Sequence, residues 1–167
     1  MMVKSLLSEE EYFHMSFDNP EPDLVDGVLV ERAMPDTEHS LVHRSIFKAL
    51  MPWDDAGKLI ALSEIRLRVA PDRFRVADLA YFTARPTARI PVDPPFAVIE
   101  IVSPDDRHDD IVAKLDDYER AGVAYIFLAD PPWRKLSLYR GGSLLAVNAL
   151  EMPEFGVKIP LDVIFAH

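Results

Sequence analysis

The chain has 167 residues, enough for one domain with a substantial hydrophobic core and too few for two full ones. It carries 28 acidic against 18 basic residues, a formal net charge of −10, so taken whole it repels nucleic acid. It contains no cysteine, which excludes disulfides and cysteine-ligated zinc and suits a reducing cytoplasm.

No apolar run approaches the roughly 20 residues a membrane helix needs. The opening MMVKSLLSEEEYF turns acidic at once and makes a poor signal peptide. The expectation is a soluble, cytoplasmic protein that makes no use of a membrane. Ser8 and Glu11 match a capping box, which predicts a short helix to about Ser16. Asp26-Gly27 between Leu24-Val25 and Val28-Leu29-Val30 is a strong hairpin signal. Asp36 or Thr37 can cap a helix to about Met51, with Val42, Ile46, Ala49 and Leu50 at helical spacing.

Strands are predicted over 59–69, 74–82 and 96–102. In the first, Ile65, Leu67 and Val69 alternate with Arg66 and Arg68, giving one buried and one basic face. Asp105 or Asp106 can cap a helix ending near Ala121, with Gly122 just beyond it. Residues 124–129 form an apolar strand, 136–147 a hairpin turning at Gly141-Gly142, and 157–159 a last short strand. Apolar strands on both sides of the 106–121 helix imply a β-α-β crossover. The fold class is therefore α/β, a mixed sheet flanked by helices with an N-terminal helix and hairpin.

Three residues break their own pattern. Asp78 shares a strand face with Phe74, Val76, Ala80 and Phe82. A carboxylate there is costly unless paired, hydrogen-bonded or bound to a metal. Glu100 lies mid-strand in Phe96-Ala-Val-Ile-Glu-Ile-Val102, a segment apolar enough to be buried on both faces. Lys114 borders the helical stripe of Ile111, Leu115 and Tyr118, while Asp109, Asp110, Asp116 and Asp117 fall on or toward the solvent side. Each alone also has a plain reading: a structural salt bridge for either acid, a snorkelling surface lysine for Lys114. Together they make a site for a hard cation such as Mg²⁺, which takes one or two carboxylates and keeps several waters.

These segments, Val76-Ala-Asp78-Leu79, Val98-Ile-Glu100-Ile-Val-Ser103-Pro104 and Asp110 to Val123, resemble the Uma-type putative restriction endonucleases of the PD-(D/E)xK superfamily. Leu24 to Glu31 and Glu38-His39 match the same family's N-terminal pattern. The resemblance covers the chain from Ser8 to about Tyr139. It implies a restriction-endonuclease-like fold and a metal, Mg²⁺ or Mn²⁺, bound by Asp78, Glu100 and the backbone carbonyl of Ile101. It also implies an accessory place for His39, for which a cap or surface role is the plainer alternative; Ser103, which can cap the following turn or touch a phosphate, and Tyr118, more plainly a core residue, are further accessory candidates. Two departures matter. Ala77 stands where the superfamily usually has proline, and Val102 stands where its signature has lysine, a role the resemblance moves to Lys114.

The reaction so implied is phosphodiester hydrolysis in DNA, with Arg66, Arg68 and Arg75 as the local basic surface and a homodimer to cut both strands. Two rivals remain: an inactive nuclease-fold binding module, and a metal-dependent hydrolase of another phosphorylated substrate. His14, His39, His43, His108 and His167 show no zinc spacing. The chain also lacks G-x-S-x-G, a P-loop and G-x-G-x-x-G.

Overall fold

A computed structural model describes residues 6–166; Met1–Ser5 of the N-terminal segment and His167 lie outside them. Helix α1 (Glu9–His14) closes the predicted capping box, Ser8 Oγ accepting from Glu11 N–H and Glu11 from Ser8 N–H. Strands β1 (Asp23–Val25) and β2 (Val28–Val30) form the hairpin. Asp26 and Gly27 take φ of 51° and 80°, the left-handed pair that a two-residue turn between twisted strands requires. A Cβ at Gly27 would come within 2.8 Å of Leu6 Cβ, so the turn excludes a side chain by contact as well as by φ.

Helix α2 (Thr37–Asp55) is capped by Asp36, whose carboxylate accepts from His39 N–H. It runs a turn beyond the expected Met51, through Pro52. The reason is Trp53, which packs on the core and donates from Nε1 to the Phe155 carbonyl at 2.7 Å. Strands β3 (Ile60–Ala70), β4 (Arg73–Phe82) and β5 (Ala97–Ile101) follow as expected, and β5 is buried along its whole length. Helix α3 (His108–Ala121) ends on Gly122 at φ 95°, also as expected. Its start differs. The N-cap position is Arg107, without a side-chain cap, because Asp106 turns its carboxylate back to Ser103 N–H at 2.7 Å.

Strand β6 (Tyr125–Asp130) is parallel to β5, completing the β-α-β crossover. Strands β7 (Lys135–Arg140) and β8 (Ser143–Val147) form the predicted hairpin. The sequence pattern does not reveal β9 (Ala149–Met152), which pairs with β10 (Val157–Pro160), or α4 (Leu161–Ile164). Leu150, Met152, Val157 and Ile164 from these pieces join the core built by α2 on one sheet face. Leu115 and Tyr118 of α3 pack on the other face with Ala80 and Val98. Among the described residues no helix is long and apolar enough to cross a membrane.

The main sheet has eight strands in the order β2-β1-β4-β5-β6-β7-β8, with β3 also on β4. β3 pairs with β4 from Arg73 to Phe82 and takes one edge of it. The other edge is divided: β1 pairs at Arg73 and Phe74, and β5 pairs only at Leu79 to Tyr81. The sheet forks there, and side chains satisfy the main chain between the prongs. Val76 N–H donates to Asp23 Oδ1 at 2.8 Å, and Val76 carbonyl accepts from Lys114 Nζ at 2.7 Å.

The fork also carries buried charge. Arg75 donates to Asp117 (2.7 Å) and Asp23 (3.2 Å), and Arg73 reaches Asp117 at 3.1 Å. Asp117 is therefore 5% exposed and faces inward, contrary to the helical reading that set it toward solvent. Replacing one member strands the others, so Asp117→Ala should lower unfolding free energy by about 3–5 kcal/mol, read from urea denaturation. A loss under about 1 kcal/mol would show that the cluster is not coupled to folding.

Candidate active site

The fork opens on a cavity of about 500 Å³ that Arg32, His39, Glu64, Asp78, Glu100 and Lys114 help to line. The β4–β5 register pairs Leu79 with Ile99, so its next step sets Asp78 opposite Glu100. Both side chains then rise from the same face of neighbouring strands. The ladder stops at that step because Ile101 N–H donates to Asp78 Oδ2 at 2.8 Å.

Asp78 is 4% exposed and Glu100 7%. Asp78 Oδ2 also meets His39 Nε2 at 3.2 Å, and Oδ1 accepts from Arg32 at 3.0 Å. Glu100 Oε2 accepts from Lys114 Nζ at 3.0 Å and Oε1 from the Tyr118 hydroxyl at 2.6 Å. All three pattern-breaking residues thus converge, and His39 and Tyr118 touch the pair directly. Tyr118 is fully buried: the ring packs under the sheet while the hydroxyl donates to Glu100.

Electrostatics follow from this crowding. Burial, and then the charge of Glu100, push the Asp78 carboxyl well above its ordinary value, against Lys114 and Arg32. Burial works against the charged form of Lys114, but Glu100 and Asp23 outweigh it and hold the ammonium above its usual range. Burial, with His43 beside it, lowers His39 and so disfavours the charged ring beside Asp78. The His39 Nδ1 atom is buried without a partner.

Other expectations are corrected. Arg66 is held by Glu21 at 2.9 Å beneath the Tyr12 ring, Arg68 by Glu9 at 3.1 Å, and Arg75 by the buried acids described above. None of the three is a basic surface, because acids distant in sequence neutralise each one. Ser103 lines the cavity, and the expected cap by its side chain is instead the Asp106 carboxylate on Ser103 N–H, with Asp106 N–H returning to Ser103 carbonyl at 3.0 Å.

Arg32 and Glu64 were not anticipated. Arg32 joins Glu64 to Asp78, both at 3.0 Å. Glu64 shares strand parity with Arg66 and Arg68 and so was visible as polar, but its φ of 48° in mid-strand has no sequence signal. Arg32 follows a three-residue strand, where no periodicity assigns it a face.

The donor set suits a hard divalent cation. Each carboxylate offers about four lone-pair directions. Glu100 uses two of them and Asp78 three on the contacts above, and Ile101 lines the same cavity. Among the described residues no group of three or more His, Cys, Asp or Glu is placed to hold a metal. Removing the Tyr118 hydroxyl takes a charge-assisted bond from Glu100. Tyr118→Phe should therefore cost about 1.5–3 kcal/mol in urea denaturation without metal, and an unchanged midpoint would show that Glu100 does not depend on it.

Comparisons with known proteins identify the family and the fold. The profile of the family described as Uma2, putative restriction endonuclease, matches residues 9–162. No curated protein matches the chain. A solved structure, a putative nuclease belonging to DUF820 from Anabaena variabilis ATCC 29413, superposes with a TM-score of 0.84 at 19% identity. The match covers 96% of this chain and 98% of that one, and it supports the same mixed α/β fold. The profile spans nearly the whole described chain, fork and site included, and the chain belongs to the Uma2 family of putative restriction endonucleases.

Proposed function

We propose that the chain is a divalent-metal-dependent endonuclease that hydrolyses phosphodiester bonds of DNA at the fork. The observation that carries this reading is the Asp78–Glu100 pair: two buried carboxylates in register on adjacent strands, open to one cavity, with Lys114 against Glu100. The family and the structural neighbour support a nuclease.

Asp78, Glu100 and the Ile101 carbonyl would hold Mg²⁺ or Mn²⁺. When bound, the ion supplies an acidified water and neutralises charge on the phosphate. The protein does the rest by position. Ile101 N–H and His39 fix Asp78, and Tyr118 fixes Glu100. Lys114 is anchored by the Val76 carbonyl, which aims its ammonium at Glu100 and keeps a positive charge where the transition state gains negative charge.

With Arg66, Arg68 and Arg75 consumed internally, the phosphate contacts fall to other cations. Arg107 is exposed and lines the cavity at the start of α3, and Arg44 and Lys48 are exposed on α2. Cutting both strands of a duplex calls for two such sites, hence a homodimer. One observation favours the inactive binding module instead: Arg32 and Lys114 already neutralise both carboxylates.

Mn²⁺ titration and plasmid nicking decide between them. The wild type should bind Mn²⁺, and Asp78→Asn should weaken binding at least 100-fold and abolish nicking. Lys114→Ala should slow nicking by about 10²–10³-fold. Nicking that survives Asp78→Asn would refute the assignment. Absence of Mn²⁺ binding would support the inactive module, and tight binding without cleavage of any nucleic acid would point to another phosphorylated substrate.

A further inference from the structure

Arg32 holds the place that an incoming cation needs. Its two terminal nitrogens are divided between two acids, one on Glu64 and one on Asp78, each at 3.0 Å. The contact with Asp78 is deep, with that side chain 5% exposed; the contact with Glu64 is shallow, with that side chain 44% exposed. The guanidinium therefore lies along the wall of the cavity, with one end in the site and the other near the solvent.

The backbone on both sides suits movement at one end and anchorage at the other. Arg32 belongs to the irregular segment between β2 and α2, with no strand ladder fixing its main chain. Its hydrogen bond to the Glu21 carbonyl is a long one, 3.4 Å. Glu64, in contrast, sits inside an 11-residue strand whose register with β4 continues on both sides, Ser63 opposite Leu79 and Ile65 opposite Ala77. That register places Glu64 across from Asp78. Its φ of 48° is left-handed backbone that a non-glycine residue adopts at a cost of order 1–3 kcal/mol. The strand tolerates this conformation where it turns an acid toward Arg32.

A divalent ion at Asp78 would stand next to a guanidinium bonded to the same carboxylate, and like charges at that distance repel strongly in a buried site. Both cannot stay. Glu64 offers Arg32 a partner it already holds.

We propose that Arg32 is a resident counter-cation: it neutralises Asp78 in the metal-free protein, and the divalent ion displaces it onto Glu64, freeing one arm of the guanidinium for the substrate phosphate. This rests on the metal site proposed above. It gives Arg32 a positive role in binding the substrate anion and a competing role against the metal, a combination that a purely structural arginine lacks.

The test is calorimetric titration of metal-free protein with Mn²⁺ alone. Arg32→Gln should bind Mn²⁺ at least tenfold more tightly than the wild type, because the competitor is gone, while nicking plasmid DNA at least tenfold more slowly at saturating Mn²⁺. Equal or weaker Mn²⁺ binding in Arg32→Gln would overturn the proposal, since it would make Arg32 a scaffold for Asp78. Asp78→Asn, run beside it, separates the two levels: if Asp78→Asn binds Mn²⁺ like the wild type, the metal site itself is wrong. A readout on intact wild-type protein guards against misfolding of the variant. The Arg32 Nε–H resonance in NMR should shift as Mg²⁺ saturates the site, and an unmoved resonance at saturation would equally overturn the displacement.

Discussion

Asp78 and Glu100 face each other from adjacent strands, nearly out of water, and each is held by a cation. Burial raises the proton affinity of Asp78, and the charge of Glu100 adds to the effect. The compensation is divided. Lys114 and the Tyr118 hydroxyl serve Glu100; Arg32, His39 and the Ile101 amide serve Asp78. Every feature that gives the chain a reading as an enzyme follows from that balance. The same groups that make the acids tolerable to the fold are those the proposed reaction at phosphate would use.

The balance is possible because the sheet forks. A continuous β5 alongside β4 would have saturated the main chain of Val76 and left no opening. With the ladder ending at Leu79, the Val76 carbonyl is free to anchor Lys114 and its amide is free for Asp23. The buried arginine–aspartate cluster of Arg75, Asp23 and Asp117 lies next to this opening. It links the first hairpin, β4 and α3, three of the elements around the gap. Ionic partners thus replace strand pairing where pairing would close the site.

How much of this could be read from sequence depended on what kind of signal each residue carries. Asp78 and Glu100 were legible because they violate a period of two in apolar strands, and Lys114 because it borders a helical stripe. The β-α-β unit was legible from two apolar runs around one amphipathic helix. Partners were not legible. Arg66, Arg68 and Arg75 sit on strands whose pattern shows a face but not what lies over it, and Glu21, Glu9 and Asp23 arrive from more than 40 residues away. Arg32 occupies an irregular segment, and the left-handed φ of Glu64 leaves no compositional trace. Strand β9 is four residues long and ends against Pro153, too short for alternation to register.

The most direct measurement is an anomalous difference map from crystals grown with Mn²⁺. The account predicts one strong peak shared by the Asp78 and Glu100 carboxylates and the Ile101 carbonyl, with the Arg32 guanidinium withdrawn to Glu64. A map without density between the two acids at saturating Mn²⁺, and with Arg32 still on Asp78, would contradict it.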